Sequence, residues 1–211
     1  DLPQLVMPFQ QGADGYAGCA DTYIESSAPD VNHGQDQLLL VKGRVNTSGL
    51  VRFDISQLPA NAVVLQAYVQ LKASDDSSPQ PLEVASYPVL RSWVAGEATW
   101  NNASAGALWE QAGCTGLTDR PMTPSDREML NGAGWCQWNV TDMVQGWADD
   151  SSSNYGLLLE SPDQRWAAIY RFIATGHVAN FSYPKLVVTY AEGVEPSVSY
   201  SVFLPIVIRA M

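Results

Sequence analysis

Short runs of apolar or alternating residues recur along the chain, and Gly, Pro, Asn, Asp and Ser separate them. Alternation with a period of two indicates β-strands, because successive side chains of a strand point to opposite faces. One short helix is predicted over 141–147, with Thr141 as its cap. The predicted strands are 21–26, 37–42, 48–54, 63–73, 82–89, 134–140, 156–160, 167–172 and 185–190.

The longest predicted strand, 63–73, has one apolar face and one face that becomes more polar along the strand, as a half-buried antiparallel strand does. About nine or ten short strands with one short helix predict an all-β fold, an antiparallel jelly-roll-like β-sandwich. The segment 109–131 is rich in turn residues and is predicted to be a long loop. The apolar face of strand 63–73 consists of Val63, Leu65, Ala67, Val69 and Leu71.

The two ends of the chain differ from the predicted sandwich, which occupies 20–191. Residues 1–19 are predicted to be an extended apolar tail, and a linker at 192–197 leads to a C-terminal strand, 198–211. Its apolar residues fall at strict period two, as Leu5, Met7 and Phe9 do more weakly in the N-terminal tail. The C-terminal set is Val198, Tyr200, Val202, Leu204, Ile206 and Ile208.

An unpaired apolar strand is an aggregation hazard, so another surface is expected to cover residues 198–211. The sequence leaves three alternatives open. The segment is the last strand of its own sandwich, a sorting or anchoring tail, or a donor strand that inserts into a neighbouring subunit.

Charge and composition exclude several classes of function. The 211 residues include 11 Lys+Arg and 22 Asp+Glu, so the net charge of −11 repels the phosphate backbone of nucleic acids. No apolar run approaches the ~20 residues of a membrane-spanning helix. The charged fraction of 16% is below the usual ~25%, which is typical of a secreted, turn-rich protein. The start at Asp1, without a basic or apolar leader, indicates a mature, processed chain at the cell surface.

Short motifs follow one another in order along 20–191, and no single one is diagnostic. They are Asp21-Thr22-Tyr23-Ile24, Asn32-His33-Gly34, Leu50–Ser56, Trp93–Asn101, Trp138–Asp142, Val144–Trp147, Asn154–Leu159 and Pro184–Tyr190. This ordered set resembles the DNRLRE-domain family, which overlaps carbohydrate-binding module family 96. The resemblance implies a secreted, non-catalytic, jelly-roll-like β-sandwich of prokaryotic surface proteins. The family includes alginate binders, but the eleven basic residues of this chain are scattered along the sequence and its net charge is negative.

Catalysis is not expected. Neither His33 nor His177 lies beside a nucleophile in a known arrangement, and a carboxylate pair such as Glu97 and Asp142 is interpreted as loop anchors rather than glycosidase residues. Acidic loops could supply oxygen ligands to Ca²⁺, but without a twelve-residue calcium loop they are interpreted as solvated, and no cofactor or metal is predicted. The acidic loop residues are Asp14, Asp21, Asp30, Asp36, Asp75, Asp76, Asp149 and Asp150.

Six of the seven tryptophans divide into two groups. Trp109 and Trp166 lie in loops rich in Gly, Gln and Asp, and they are the candidates for stacking on a glycan. The tryptophans within the motifs have apolar neighbours and are predicted to pack in the core. They are Trp93, Trp100, Trp138 and Trp147.

Three cysteines and four glycosylation sequons accord with a secreted chain. A disulfide between Cys114 and Cys136 would close the irregular segment and add about 3 kcal/mol of stability. Cys19 is then free or bonded to another chain, and its pairing with either of the other two stays open. The candidate glycosylation sites are Asn46, Asn102, Asn139 and Asn180.

Two functional hypotheses follow, and the first is placed ahead. In the first, a non-catalytic extracellular subunit polymerises head to tail into a filament, with strand 198–211, and also Leu5–Phe9, inserted into the next copy. In the second, a carbohydrate-binding module recognises a neutral or mildly charged polysaccharide through Trp109 and Trp166.

Overall fold

The computed structural model describes residues 3–43, 46–162, 167–178 and 182–193. Trp166, Asn180 and the predicted C-terminal strand 198–211 lie outside these residues. One helix, α1, covers Thr141–Asp149. The strands are β1 (Leu5–Gln10), β2 (Cys19–Glu25), β3 (Leu38–Lys42), β4 (Thr47–Phe53), β5 (Ala62–Ala73), β6 (Leu82–Pro88), β7 (Asn102–Ser104), β8 (Ala107–Leu108), β9 (Asp126–Leu130), β10 (Gly134–Asn139), β11 (Leu157–Glu160), β12 (Ile169–Ile173) and β13 (Lys185–Glu192).

Two antiparallel sheets form a sandwich, as predicted. The first has the order β1-β13-β5-β10, and the second has the order β2-β4-β11-β6-β9. The β3-β12 pair connects them, because Phe172 pairs with Ala73 of the first sheet and Lys42 pairs with Thr47 of the second. All nine predicted strands are present, with ends shifted by at most two residues at either side.

The main core lies between the two sheets. It takes alternate residues of the first sheet, such as Val69 and Leu186, and of the second, such as Val51 and Leu157. Trp138 is fully buried there, and its indole N–H donates to the carbonyl of Val84 at 2.8 Å. The hydrogen bond satisfies the one polar group of a large side chain that otherwise only packs.

The second sheet is also covered on its outer face. Leu50 and Leu158 point away from the main core and pack with Trp93, Trp109 and Cys114 in a second hydrophobic cluster. The segment 109–131 is therefore not a simple loop lying on the sandwich. Its first part completes a third layer over the second sheet, and its last part forms β9, which pairs with β6.

Strand β5 departs from the predicted alternation at its start. Thr189 pairs with Gln66 whereas Tyr190 pairs with Val64, so a β-bulge at Leu65 inserts one extra residue. In the part of β5 that precedes the bulge, the inward and outward positions are exchanged. Val63 and Leu65 are therefore exposed, and Val64 is buried. The prediction that Val63 and Leu65 face the core was wrong, because a bulge leaves no trace in a period-two pattern.

The N-terminal residues are not a free tail. Residues 5–10 form β1, which pairs along its whole length with β13 of the same chain. Phe9 is fully buried in the main core and Met7 packs against it. The prediction that Leu5, Met7 and Phe9 insert into a neighbouring subunit is corrected, since this chain's own sheet uses them.

Helix α1 closes one end of the sandwich. Met143, Val144 and Trp147 are its buried residues. Thr141 is the first helical residue rather than the cap: its hydroxyl accepts a hydrogen bond from the Ala67 N–H at 3.0 Å and thereby joins the helix to β5. No helix in the described ranges is long and apolar enough to cross a membrane.

Candidate functional site

The outer face of the first sheet carries long polar and aromatic side chains. Because Ala67, Val69 and Leu71 of β5 point into the core, the residues between them point outwards. The same alternation on β10 buries Cys136 and Trp138 and turns their neighbours outwards. We call this surface the amide–aromatic face; its polar and aromatic side chains are Gln10, Gln66, Tyr68, Gln70, Lys72, Trp135, Gln137, Asn139 and Lys185. At its β1–β13 edge Val6 and Pro8 are also exposed.

The strand register arranges these side chains in rows across the sheet. Gln10 pairs with Lys185, Lys185 with Gln70, and Gln70 with Gln137, one residue from each of four strands. Adjacent strands are about 4.8 Å apart, and the Gln70 amide donates to the Gln137 carbonyl oxygen at 3.1 Å. The row therefore presents hydrogen-bonding groups at regular intervals across the sheet.

Two aromatic side chains, Trp135 and Tyr68, lie among the rows of amides. Trp135 of β10 is 46% exposed, and the Lys185 ammonium lies 4.7 Å from the centroid of its ring. Tyr68 lies on the next row, opposite Asn139, and its hydroxyl accepts a hydrogen bond from the Gln66 amide at 3.0 Å. An indole and a phenol on one sheet face offer apolar ring faces beside polar groups.

The amide–aromatic face differs in charge from the rest of the molecule. The chain has a net charge of −11, yet the named side chains of the face include Lys72 and Lys185 and no carboxylate. Asp126 lies at the edge of the face, where its carboxylate accepts a hydrogen bond from the Asn139 N–H at 2.7 Å. Within the described residues neither lysine forms a salt bridge, whereas Lys42 pairs with Glu25 at 2.9 Å and Arg91 with Asp119 at 3.1 Å. Two of the three lysines of the chain thus converge on one surface, which their separation in sequence does not indicate.

Of the two tryptophans nominated from the sequence, Trp109 does not lie on the amide–aromatic face, and Trp166 lies outside the described residues. Trp109 is only 4% exposed, and its indole N–H donates to the Thr99 carbonyl at 2.9 Å, so its ring cannot stack on a ligand. The prediction for Trp109 was wrong because the third layer buries it. The core prediction is confirmed for Trp93, Trp138 and Trp147. The alternation around Cys136 and Trp138 would have revealed Trp135 as the outward-facing tryptophan.

All three cysteines are free thiols, which contradicts the predicted Cys114–Cys136 disulfide. Cys114 lies in the second hydrophobic cluster and Cys136 in the main core, on opposite sides of the second sheet. Burial raises the pKa of Cys136 to about 11, and burial also raises the pKa of Cys114 and of Cys19. These thiols are therefore protonated and unreactive at neutral pH.

The three described sequons occupy different surroundings. Asn46 is exposed, and Asn102 is half-buried with its amide 3.4 Å from the Thr99 hydroxyl. Asn139 is exposed on the amide–aromatic face, and its side-chain oxygen accepts from the Thr141 N–H at 3.0 Å. Glycosylation stays a prediction at all of them.

His33 is held in a polar cluster rather than beside a nucleophile. Its ring stacks on Tyr23 with centroids 3.9 Å apart, and Nδ1 lies 2.9 Å from an Asp36 oxygen. Its Nε2 lies 3.5 Å from Glu25, whose other oxygen binds Lys42. This arrangement ties the loop before β3 to β2 and has no group positioned for covalent chemistry.

Several of the acidic residues considered for Ca²⁺ have other partners, Asp21 among them. Both oxygens of buried Asp21 accept hydrogen bonds from Thr175, at 2.8 and 3.0 Å, and burial raises the pKa of the Asp21 carboxyl. Over the described ranges, no three His, Cys, Asp or Glu side chains come together in a way that could hold a metal ion. Glu97 accepts a hydrogen bond from the Ala105 N–H at 2.9 Å, which is a loop anchor of the kind expected.

The exposed face of the first sheet carries indole, phenol, amide and ammonium groups, which are groups that can contact sugars. Aromatic rings match the C–H faces of sugars, and amides both donate to and accept from hydroxyls. The chain belongs to carbohydrate-binding module family 96, whose sequence profile matches residues 15–190. No curated protein was found to match the chain. The family resemblance predicted over 20–191 is thereby confirmed, and β1 lies outside the matched range.

Proposed function

We propose that the protein is a non-catalytic extracellular module that binds an extended polysaccharide on the amide–aromatic face. The observation that carries the proposal is Trp135, a 46% exposed tryptophan on the outer face of the first sheet, beside a cross-strand row of amides. Family membership supports carbohydrate as the ligand class. Binding, rather than polymerisation, thus becomes the leading hypothesis.

A polysaccharide chain lies across the strands in this proposal. The row from Gln10 to Gln137 spans three inter-strand spacings, or about 14 Å, so it contacts several consecutive sugar units. One unit stacks on the ring of Trp135, where burial of apolar area supplies most of the affinity. The amides of Gln70 and Gln137 exchange hydrogen bonds with ring hydroxyls and set the register of the chain.

The lysines change the expected charge of the ligand. Lys72 and Lys185 have no carboxylate partner among the described residues, and a carboxylate on the polysaccharide would supply one. These lysines replace the expectation of a neutral or mildly charged polysaccharide with that of a polysaccharide that carries carboxylates. We infer a preference for glycans that carry carboxylates over neutral glycans of the same linkage.

The test is affinity electrophoresis through gels that contain neutral or uronic-acid polysaccharides. Trp135→Ala is expected to weaken retention about tenfold or more, because an anchoring tryptophan commonly contributes 2 kcal/mol or more of binding energy (~30-fold). Leu117→Ala, a change at a residue that is 63% exposed on the third layer, is the matched control and should bind as the wild type does. Equal retention of the wild type and Trp135→Ala would overturn the proposal.

Polymerisation by strand complementation stays a prediction. The segment that would carry it, 198–211, lies outside the described residues, and β1 is paired within its own chain. Light scattering of the full chain and of a chain ending at 193 tests it. A particle mass that falls on truncation would support the filament hypothesis, and equal monomer masses would remove it.

A further inference from the structure

A cleft of about 730 Å³ opens at the end of the sandwich, where β2 begins and β4 ends. Three segments form its walls: 17–20, 52–60 and 147–154. None of the side chains of the amide–aromatic face lines it. We call it the end cleft, and its size is within the range of small-molecule sites in proteins.

The floor of the end cleft is apolar. Phe53, Ile55, Leu58 and Trp147 line it while being almost fully buried, so only the edges of these side chains reach the cleft. They also belong to the main core, which holds them rigidly. A rigid apolar floor suits the C–H face of a sugar ring, because no loop has to be ordered when the ring binds.

Polar groups with unused hydrogen-bonding capacity surround this floor. Arg52 stacks 5.3 Å over the Trp93 ring and donates through Nη1 to the Trp93 carbonyl at 3.4 Å. A guanidinium has five N–H donors, and in the described part of the chain Arg52 has no carboxylate partner. In the described part of the chain the Arg52 guanidinium donates no other hydrogen bond, and Arg52 is one of the residues that line the end cleft.

Two carboxylates lie on the rim of the cleft. One oxygen of Asp54 accepts from the Ser56 N–H at 2.8 Å, and one oxygen of Asp149 accepts from the Gln145 amide at 2.8 Å. Among the described residues the second oxygen of each has no hydrogen-bond partner. The cleft thus combines a planar donor group and two planar acceptor groups around an apolar floor.

We propose that the end cleft is a second carbohydrate site, one that binds a short saccharide or a chain terminus of one or two units. Sugar hydroxyls accept hydrogen bonds from Arg52 and donate to the carboxylates of Asp54 and Asp149. The inference rests on the proposed function for its ligand class, but it uses entirely different residues. Two separate sites let one module hold two chains, or one chain twice, with a gain in avidity.

The experiment is an NMR titration of the ¹⁵N-labelled full chain with methyl glycosides of glucose, mannose, galactose and glucuronic acid. With at least one glycoside we expect saturable shifts at Gly18, Ser56 and Asn154 and at the Trp147 indole. The Trp135 indole signal should stay in place at concentrations that saturate the cleft. Saturation in the millimolar range, about −4 kcal/mol, is expected for so small a ligand.

Two variants keep the proposal falsifiable. Ala60→Trp fills the mouth of the cleft, and Asp149→Asn removes one charged acceptor without changing its shape; each should weaken binding about tenfold or more. Ala105→Trp, at an exposed alanine of the third layer, is the control. No saturable shift with any glycoside, or shifts that persist in Ala60→Trp, would overturn the inference.

Failure of this inference is distinguishable from failure of the proposed function. Trp135→Ala is expected to lose polysaccharide retention in gels and to keep the glycoside shifts at the end cleft. Ala60→Trp is expected to do the reverse.

Discussion

At the scale of the residue, Lys185 and Trp135 act as a pair on the amide–aromatic face. An ammonium 4.7 Å from the ring centroid is within the distance at which cation–π attraction operates. The lysine therefore helps to hold the indole in one orientation, and its charge remains available to an acidic ligand. One side chain serves the aromatic and the electrostatic part of the proposed site.

Lys185→Met separates the electrostatic contribution of the Lys185 ammonium from the packing of its side chain. The variant keeps an unbranched apolar side chain and removes the charge, so affinity for a uronic-acid polysaccharide should fall about three- to tenfold. The dependence of that affinity on salt should also become weaker. Isothermal titration at low and high salt measures both. Lys42→Met is the matched control away from the face; an equal loss in this variant would contradict the assignment.

The Glu25 carboxylate, which lies beside His33, makes the stability of the folded protein depend on pH. Burial opposes its ionisation, but hydrogen bonds from Lys42 and Ser27 and the nearby positive charges outweigh burial, so the pKa of Glu25 lies below its ordinary value. A lowered carboxyl pKa contributes stability above the unfolded-state value, which is near 4.5, and this contribution is lost as the pH falls through the folded-state value.

We therefore expect Glu25→Gln to lower the melting temperature at pH 6 and to have little effect at pH 3. Thermal unfolding followed by circular dichroism across this range is the measurement. A difference from the wild type that is the same at every pH would show that the Glu25 charge does not contribute.

At the scale of the element, the motif Asn32-His33-Gly34 joins two loops. The Asn32 amide donates to the carbonyls of Ala95 and Ala98, both at 2.7 Å. A Cβ atom at Gly34 would lie 2.1 Å from the Ala95 oxygen, so only glycine allows the loops to approach this closely. Motifs far apart in sequence thus meet as one structural joint, which explains them without a catalytic role.

Gly34→Ala should destabilise the protein by about 1–3 kcal/mol, because the clashing atom belongs to the backbone and cannot rotate away. The control is Gly96→Ala, since an added Cβ there has no neighbour within 4 Å. Urea unfolding measures both. Equal unfolding midpoints for the two variants would mean that the loops separate at little cost.

At the scale of the whole molecule, the second sheet separates Cys114 from Cys136. Both are buried, and each belongs to a different hydrophobic cluster. A disulfide between them would require one cluster to come apart. Stability therefore comes from three packed layers rather than from a covalent link.

We expect the melting temperature to be unchanged by dithiothreitol. Alkylation of the unfolded chain without reductant should modify three cysteines, as counted by intact mass. A mass showing fewer modified thiols, together with a lower melting temperature after reduction, would contradict the structure. The melting temperature of Cys114→Ala shows how much stability is lost when this buried side chain is removed and no disulfide is involved.

The sequence by itself determined the local elements and the family. Alternation located the nine strands, turn residues separated them, and the motifs indicated the β-sandwich, because these signals arise between residues close along the chain. Tertiary structure decided which of the predicted surfaces are covered by other strands and layers. Long-range pairing buried Trp109, drew β1 into its own sheet and brought Lys72, Lys185 and Trp135 together. Neighbours across strands are set by register and by layer packing, and neither is encoded in the period of any one segment.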